Sequence, residues 1–398
     1  MQYVRFTENI IMKLEIAQKS LATLLVNAYK AISNRPNMPI LSCFLFQADM
    51  ENQQVIVTGF DGSLGIKTHT ACKIYVGGII AVNAGLFCDV VVSLHEQLIL
   101  EITSNQLTIT HSTGKCRLAT SSPNEFPEMP TVAGKSTTLS VEVIKSAIAS
   151  TLPFAARNEL KQVLAAIHLK LSSTAWEAAA TDGHRLGVAC NHNGTEEFDS
   201  AVTIPHATVT RLKEIFNTSA NGNCQITIAD ESLISFQLAN ICLTSRLLDQ
   251  QYPNYRVLIP QQFDYRYIVN KNSLSTALNR VVTLAGQEDP YVQITFSQGI
   301  ATLYAEAADL GGAVESVATD STEYDTDFTI GFNIKYLAEA IKAINSSEII
   351  VKANAPAHPV ILSPLEDTHQ FVLIMPVQLK QIKEFTEASA VVDEVAAA

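Results

Sequence analysis

The stretch Thr181-Asp182-Gly183-His184-Arg185-Leu186-Gly187 places an Asp, a His and an Arg within four residues, after the segment 177–180 and before the apolar segment 186–188. An Asp-Gly pair between two such segments is a strong signal for a two-residue β-hairpin turn. One interpretation is a small catalytic site at Asp182, His184 and Arg185. The other is a turn that presents side chains to a binding partner.

The same turn signal occurs once before in the chain. The stretch Thr58-Gly59-Phe60-Asp61-Gly62-Ser63-Leu64-Gly65-Ile66 places Asp-Gly 121 residues earlier. We therefore interpret Asp182-Gly183 as scaffold, and His184-Arg185 as the part specific to the second copy. The chain has no G-x-S-x-G, P-loop or H-E-x-x-H motif, and a hydrolase needs a nucleophile, an oriented base and an oxyanion site. The pattern favours peptide binding over catalysis.

The whole chain repeats with a similar period. Phe126-Pro127, Tyr252-Pro253 and Met375-Pro376 close three segments and are 126 and 123 residues apart. Each segment opens with a short strand and an amphipathic helix, in which apolar residues recur at i and i+4. The pairs are Leu21/Leu25, Ile144/Ile148 and Leu274/Leu278.

The remaining signals in each segment define a domain type. Second helices are predicted at about residues 82–94, 204–216 and 332–344, and period-two alternation predicts antiparallel strands between them. The fold class is α+β, with three repeated domains of two helices packed on antiparallel sheets. The predicted bounds are 12–134, 135–262 and 263–380, with linkers at 123–134 and 253–264 and a flexible tail at 381–398. Met1 and Met12 both remain candidates for the start.

Composition excludes several classes of protein. The chain has 398 residues, 47% hydrophobic and 17% charged, which suits globular domains. No apolar run reaches the roughly 18 to 20 residues of a membrane span, and residues 1–11 do not form a signal peptide. Seven cysteines without C-x-x-C spacing predict reduced thiols in a cytoplasmic protein, with no metal site and no cofactor.

The charges are unevenly distributed. The net charge is -12, yet residues 16–48, 143–158 and 265–287 contain no Asp or Glu. Buried helices that avoid charge of either sign are one explanation. A basic surface shared by the helices is the other, and it suits a phosphate backbone. The sparse charges predict weak, salt-sensitive contact with DNA that does not read its sequence. The DNA-facing candidates are Lys19, Lys30, Arg35, Lys145, Arg157, Arg211, Lys213, Lys271, Arg280 and Lys335.

Five motifs, in order along the chain, resemble the bacterial DNA polymerase III β subunit, the sliding-clamp family. They are Arg35 to Leu41, Thr181 to Leu186, Tyr252 to Arg256, Phe332 to Leu337, and Met375 to Val377, and the resemblance covers residues 12–379. It implies a non-catalytic DNA clamp fold that forms a head-to-tail dimeric ring around duplex DNA. It also implies that a clamp loader opens the ring, that Arg35 contacts DNA, and that Asn158 lies near a polar DNA contact.

The resemblance further implies a groove between the second and third domains that binds Gln-Leu-x-Leu-Phe-like segments. The implied partners are DNA polymerase III, other polymerases, the clamp loader, and mismatch-repair and other proteins. The matching groove positions are Leu164, Thr181, Gly183, His184, Arg185, Leu186, Pro253, Leu258, Asn333, Tyr336, Pro359, Leu373, Ile374, Met375, Pro376 and Val377.

Some positions depart from the family pattern. Val257 and Gln378 stand where relatives often carry Arg, so the rim of the groove is expected to be less basic. The tail after Leu379 is longer than in relatives. Dimer contacts are expected near Cys116, Leu118 and Leu284. Two rival hypotheses remain: an enzyme acting at Asp182, His184 and Arg185, and a tandem-repeat scaffold that never encircles DNA.

Overall fold

The structure is a computed structural model. It describes residues 10–33, 35–103, 105–157, 162–191, 199–218, 222–230, 232–283, 290–307, 311–320, 327–366 and 369–379. Asn158, Leu284 and the tail at 381–398, which the sequence singles out, lie outside the described residues.

Six α-helices occur among the described residues. They are α1 (Gln18–Tyr29), α2 (Ala84–Ser93), α3 (Val141–Thr151), α4 (His206–Thr218), α5 (Lys271–Val282) and α6 (Ile334–Ala343). All six fall where the sequence predicts them, which confirms the two-helix pattern of each segment. The ends of α2, α4 and α6 differ from the predicted bounds by one or two residues. An Asn side chain caps the N-terminus of α2, α5 and α6: Asn83, Asn270 and Asn333.

The described strands have nearly the same arrangement in each segment: one precedes the first helix, three follow the second, and five in the first segment or four in the others lie between the helices. They are β1 (Met12–Ala17), β2 (Cys43–Asp49), β3 (Gln54–Phe60), β4 (Leu64–Ala71), β5 (Lys73–Val76), β6 (Gly78–Asn83), β7 (Gln97–Thr103), β8 (Gln106–His111), β9 (Gly114–Ser121), β10 (Lys135–Ser140), β11 (Ala166–Leu171), β12 (Trp176–Thr181), β13 (Arg185–Asn191), β14 (Ser200–Pro205), β15 (Asn223–Ala229), β16 (Leu233–Gln237), β17 (Ile241–Arg246), β18 (Tyr265–Asn270), β19 (Tyr291–Ser297), β20 (Ile300–Ala307), β21 (Gly311–Asp320), β22 (Phe328–Asn333), β23 (Glu348–Ala353), β24 (Val360–Pro364) and β25 (Gln370–Ile374).

The chain folds into two compact units. Unit 1 comprises residues 1–145 and 207–249, and unit 2 comprises residues 146–206 and 250–398. The strands of the middle segment are shared, with β10 and β15 to β17 in unit 1 and β11 to β14 in unit 2. The three-domain bounds predicted from the repeat therefore stay a prediction.

Unit 1 is built on one antiparallel sheet in the order β10-β15-β16-β17-β4-β3-β2-β6-β9-β8-β7-β1-β5. On β1 the side chains of Met12, Leu14 and Ile16 alternate inward and are buried. They join a core into which α1 and α2 also pack, with Phe46 and Phe87 meeting edge to face at 5.6 Å. Strand β4 pairs with β17, so the first and second segments share one sheet.

Unit 2 repeats this construction in the order β14-β11-β12-β13-β25-β24-β23-β18-β21-β20-β19-β22. Strand β13 of the second segment pairs with β25 of the third, with Arg185 opposite Ile374. Helices α5 and α6 cover the core through Leu274, Leu278 and Leu337. The pairing of β13 with β25 places the turn at residues 182–184 beside the end of β25. It therefore brings together the motif Thr181 to Leu186 and the motif Met375 to Val377.

Candidate functional site

The turn between β12 and β13 is closed by the Asp182 side chain. Its Oδ1 accepts hydrogen bonds from the backbone N–H groups of His184 and Arg185, both at 2.9 Å. The Asp182 N–H donates to the Arg185 carbonyl at 3.3 Å, and Gly183 has φ of +93°. The sequence predicts a two-residue turn at Asp182-Gly183. The bond from Asp182 to Arg185 leaves two residues, Gly183 and His184, between the bonded positions, so the size of the turn is confirmed and its position lies one residue further along the chain. The Asp182 carboxylate takes the place of a backbone acceptor in closing it.

The Asp61 turn of unit 1 has the same geometry. Asp61 Oδ1 accepts from the N–H groups of Ser63 at 2.8 Å and Leu64 at 2.7 Å. The Asp61 N–H donates to the Leu64 carbonyl at 3.1 Å, and Gly62 has φ of +98°. The Asp-Gly pair thus has the same local function in both copies, whereas the side chains of His184 and Arg185 have no equivalent at Ser63 and Leu64.

Arg185 is buried, with only 7% of its side chain exposed. Its Nε donates to Asp182 Oδ2 at 3.0 Å, and its Nη1 donates to Glu339 Oε2 on α6. The guanidinium carbon lies 4.2 Å from the centre of the Tyr336 ring and 5.5 Å from that of Phe154. A buried cation requires such pairing, because an unpaired charge in the interior is costly.

The Tyr336 ring contacts both Arg185 and His184. The His184 and Tyr336 rings stack with centroids 5.9 Å apart and an angle of 27°. Asn333 fixes the start of α6, where its Oδ1 accepts from the N–H groups of Lys335 and Tyr336 at 3.0 and 3.2 Å. His184 is exposed and Tyr336 is partly exposed, so both rings are accessible to a partner.

A second network holds the other side of the turn. The Thr181 hydroxyl donates to the Arg185 carbonyl at 2.6 Å, and the Thr181 N–H donates to the Tyr252 hydroxyl at 3.0 Å. Tyr252 also stacks on His168, with ring centroids 5.0 Å apart. Burial raises the pKa of Tyr252 to about 12 and lowers the pKa of His168. Both side chains are therefore neutral near pH 7.

Apolar side chains complete this part of unit 2. Leu186 and Leu373 are buried in a cluster with Tyr252 and Tyr255, and Met375 packs against it. Leu258, in a 3-10 helix at Tyr255–Leu258, is 51% exposed. We call the accessible set His184, Leu258, Tyr336 and Met375 the docking face, after the partner binding that the sequence predicts for it.

The C-terminal segment of the site is fixed on both sides. The Met375 N–H donates to the His184 carbonyl at 2.9 Å, and the Val377 N–H donates to the Gly331 carbonyl at 2.9 Å. Pro376 lies between these two anchors and is partly exposed. The segment is thus attached to both β22 and the turn.

The remaining predicted positions differ in their access to solvent. Gly183 and Pro253 are exposed, and Leu164 and Pro359 are partly exposed. Ile374 is completely buried in the core beneath α6. Leu186 and Leu373 are buried as well. These three residues can therefore contribute to partner binding only indirectly, by supporting the accessible residues.

The arrangement does not resemble a catalytic centre. Asp182 uses one carboxylate oxygen for the turn and the other for Arg185, so it is not positioned as a base for a substrate. His184 stacks on an aromatic ring. Within the described ranges there is no cluster of three His, Cys, Asp or Glu residues that would hold a metal ion.

Val257, one of the two departures from the family pattern, is 75% exposed beside Leu258. Its neighbour Arg256 pairs with Glu177 at 2.8 Å. Gln378 is also exposed. Positions 257 and 378 thus carry an exposed apolar and an exposed neutral side chain in place of the Arg that the family pattern predicts.

The six helices together are basic. They carry eight Lys or Arg and four Asp or Glu residues, a net charge of +4, whereas the chain has -12. Lys19, Lys213 and Lys335 are exposed on α1, α4 and α6, and Arg35 is exposed after α1. Helix α2 is an exception, since its single charge is Asp89.

Several of the other predicted DNA-facing cations already have partners. Lys145 pairs with Glu142, Arg157 with Glu339, Arg211 with Glu214, and Arg280 with Glu315, at 3.0 to 3.5 Å. Lys30 donates to Asn27 Oδ1 at 2.8 Å, and burial lowers its pKa. Lys271 donates to the Ile344 carbonyl. Contact with phosphate would have to compete with these interactions.

The predicted dimer positions are described only in part. Cys116 and Leu118 are partly exposed on β9, at the edge of the first-segment core. Cys116 Sγ lies 4.0 Å from His111 Nε2. Both residues are accessible, and their role in a dimer stays a prediction.

Sequence reasoning missed four residues that shape the site: Glu339, Phe154, His168 and Glu177. Glu339 pairs with Arg185, and Phe154 lies beneath the guanidinium. Glu177 accepts from both Tyr255 and Arg256. One signal was available: Gly187 is required because a Cβ there would lie 2.3 Å from the Phe154 ring. A glycine next to a strand turn indicates such a close approach.

Comparisons with known proteins cover nearly all of these elements. The family models described as "DNA polymerase III beta subunit" match in three consecutive parts: the N-terminal domain at residues 12–130, the central domain at 138–254 and the C-terminal domain at 256–378. The chain is 34% identical over 376 residues to the beta sliding clamp of Synechococcus elongatus, covering 93% of this chain and all of that one. It is 33% identical over 391 residues to the beta sliding clamp of Synechocystis sp., covering 92% of this chain and all of that one.

Solved structures agree in fold. The DNA polymerase sliding clamp from Bacillus subtilis matches with a TM-score of 0.87 at 24% identity, over 92% of this chain and 99% of that one. The sliding clamp from Bartonella birtlesii, solved with bound griselimycin, matches with a TM-score of 0.86 at 25% identity, over 92% of this chain and all of that one. In the part of the chain that the structure describes, we find no helix with the length and hydropathy of a membrane span.

Proposed function

This chain belongs to the DNA polymerase III beta subunit family and is a DNA sliding clamp, and we propose that its docking face tethers polymerases and other proteins to duplex DNA. A sliding clamp is a processivity factor rather than an enzyme. The function of a clamp is to remain on DNA while it holds a partner protein there.

The observation that carries the docking proposal is that accessible rings and an apolar side chain meet at one turn. His184 and Tyr336 stack, and the backbone of Met375 is bonded to His184. Leu258 is half exposed in the 3-10 helix whose Tyr255 packs in the same cluster as Leu186. Apolar and aromatic groups accept the Leu and Phe of a Gln-Leu-x-Leu-Phe-like segment, and the polar groups beside them fix its register. The proposed partners are polymerases, the clamp loader and repair proteins that carry such a segment.

We further propose that the protein forms a head-to-tail dimeric ring of three domains per chain, at 12–134, 135–262 and 263–380. The helices are then expected to face the duplex, since they carry a net positive charge in an acidic protein. Because the helices carry few cations and four of the eight already have partners, DNA would be retained by enclosure rather than by tight binding. The mass in solution tests the dimer: a particle near twice 43.2 kDa is expected, and a monomer at micromolar concentration would contradict it.

The docking proposal is tested by titrating a fluorescent Gln-Leu-x-Leu-Phe peptide against the wild type and a His184→Ala, Leu258→Ala variant. The variant is expected to bind at least tenfold more weakly and to keep its unfolding midpoint. A matched control is Tyr75→Ala, which removes an aromatic ring that is 43% exposed on β5 in unit 1. Equal peptide affinity for the wild type and the double variant would refute the docking face.

A further inference from the structure

Glu339 on α6 contacts two arginines that differ in their exposure. Its Oε2 accepts from Nη1 of Arg185, whose side chain is 7% exposed. Its Oε1 lies 3.4 Å from Nη2 of Arg157, which is 82% exposed. The exposed pair contributes little, because solvent screens it. The buried one is a directed, charge-assisted hydrogen bond.

The Arg185 guanidinium is held at two points. Asp182 Oδ2 binds Nε at 3.0 Å, and Glu339 binds Nη1. Two anchors on a planar group fix its plane as well as its position. That plane lies 4.2 Å from the centre of the Tyr336 ring, and Tyr336 precedes Glu339 by three residues, or about one turn, on α6. Asp182 cannot replace the second anchor, since its other oxygen closes the turn.

We propose that Glu339 is a positioning residue of the docking face: it holds the Arg185 guanidinium against Tyr336 and so fixes the ring before a partner arrives. This inference rests on the proposed docking function. Glu339 itself does not contact the partner. Without its charge, Arg185 keeps one anchor and Tyr336 gains rotational freedom, and the partner must then order the ring on binding.

Peptide affinity of matched variants tests this proposal. Glu339→Gln keeps the shape of the side chain and removes its charge. It is expected to weaken binding of the fluorescent Gln-Leu-x-Leu-Phe peptide by three- to tenfold. The control, Glu315→Gln, breaks the carboxylate–guanidinium pair with Arg280 at 3.0 Å and should leave the affinity unchanged. Glu339→Asp, which keeps the charge on a shorter side chain, should give an intermediate loss.

A second background separates positioning from general destabilisation. Tyr336→Ala is expected to weaken peptide binding by itself, and adding Glu339→Gln to it should cause no further loss. In protein labelled with fluorotyrosine, the ¹⁹F resonance of Tyr336 is identified as the one that Tyr336→Phe removes. That resonance should shift or broaden in Glu339→Gln and not in Glu315→Gln. This signal reports the ring even if the affinity change is small.

The outcomes are distinguishable. If Tyr336→Ala leaves the affinity unchanged, the proposed docking face is wrong. If Tyr336→Ala weakens binding but Glu339→Gln neither does so nor moves the Tyr336 resonance, only the positioning proposal is overturned. A Glu339→Gln loss that is equally large in the Tyr336→Ala background would also overturn it, because the carboxylate would then act by another route.

Discussion

Replacing the aspartate of each Asp-Gly turn by alanine should separate the structural role of the turn from its role in partner binding. Asp61→Ala and Asp182→Ala remove the same two bonds, from side-chain oxygen to two backbone N–H groups at 2.7 to 2.9 Å. Loss of comparable capping bonds costs about 0.5–2 kcal/mol. That is the whole expected effect of Asp61→Ala.

Asp182→Ala also removes one of the two carboxylates bound to Arg185. Removing a partner from a buried pair costs about 3–5 kcal/mol when the remaining charge is left alone. Here Glu339 remains, so the additional cost should be roughly 1–3 kcal/mol by the same reasoning. Asp182→Ala is therefore expected to destabilise the protein by about 1–3 kcal/mol more than Asp61→Ala does.

The same difference should appear in partner binding. Because Arg185 supports Tyr336, Asp182→Ala should weaken peptide binding by about 5- to 30-fold, which corresponds to about 1–2 kcal/mol. Asp61→Ala should leave it within twofold of the wild type. Urea unfolding measures the first quantity and fluorescence anisotropy with a labelled peptide the second. Equal destabilisation by both variants, together with unchanged peptide affinity for Asp182→Ala, would refute the role assigned to Arg185.

Three further perturbations test packing, charge and protonation in turn. Gly187→Ala places a Cβ 2.3 Å from an aromatic ring and 2.5 Å from a backbone oxygen, so urea unfolding should show a loss of stability of about 1–3 kcal/mol or more. Gly183→Ala, in open space at φ of +93°, should cost only about 1 kcal/mol, and a larger loss for Gly183→Ala than for Gly187→Ala would contradict the packing. Lys213→Glu on α4 should speed loss of the loaded protein from circular DNA as salt rises. Lys170→Glu on β11, which makes the same change of charge at an exposed strand residue, should not, and equal effects of the two variants would argue against a DNA-facing helix surface. Burial lowers the pKa of His168, so the unfolded chain takes up the proton first and stability should fall as pH drops below about 6.5. His168→Phe should reduce the difference between urea midpoints measured at pH 7.5 and 5.5, and an unchanged difference would exclude His168 as its source.

The repeated elements of the fold were predictable because their signals are local. Apolar residues at i and i+4 mark α1, α3 and α5, and all three begin directly after a strand. The Asp-Gly pairs mark both turns. The exact position of the turn was not predictable from strand signals alone, since the Asp182 carboxylate, rather than a backbone carbonyl, accepts from the N–H groups of His184 and Arg185.

The interior of the site was less predictable, because it depends on contacts between distant parts of the chain. Glu339 lies 154 residues from Arg185, and the two meet only because β13 pairs with β25. The sequence identifies both residues as charged and gives no sign that one neutralises the other. The buried positions of Ile374 and Arg185 likewise follow from the position of α6, which periodicity alone does not fix.

Retention on DNA of different topology is the most direct test of the central claim, that this protein is held on DNA by enclosing it. The protein is loaded by a clamp loader onto nicked circular DNA and onto the same DNA after linearisation, and bound protein is measured after gel filtration in moderate salt. Enclosure predicts stable retention on the circle and rapid loss from the linear form. Equal retention on both would show that surface contacts hold the protein, and it would contradict enclosure.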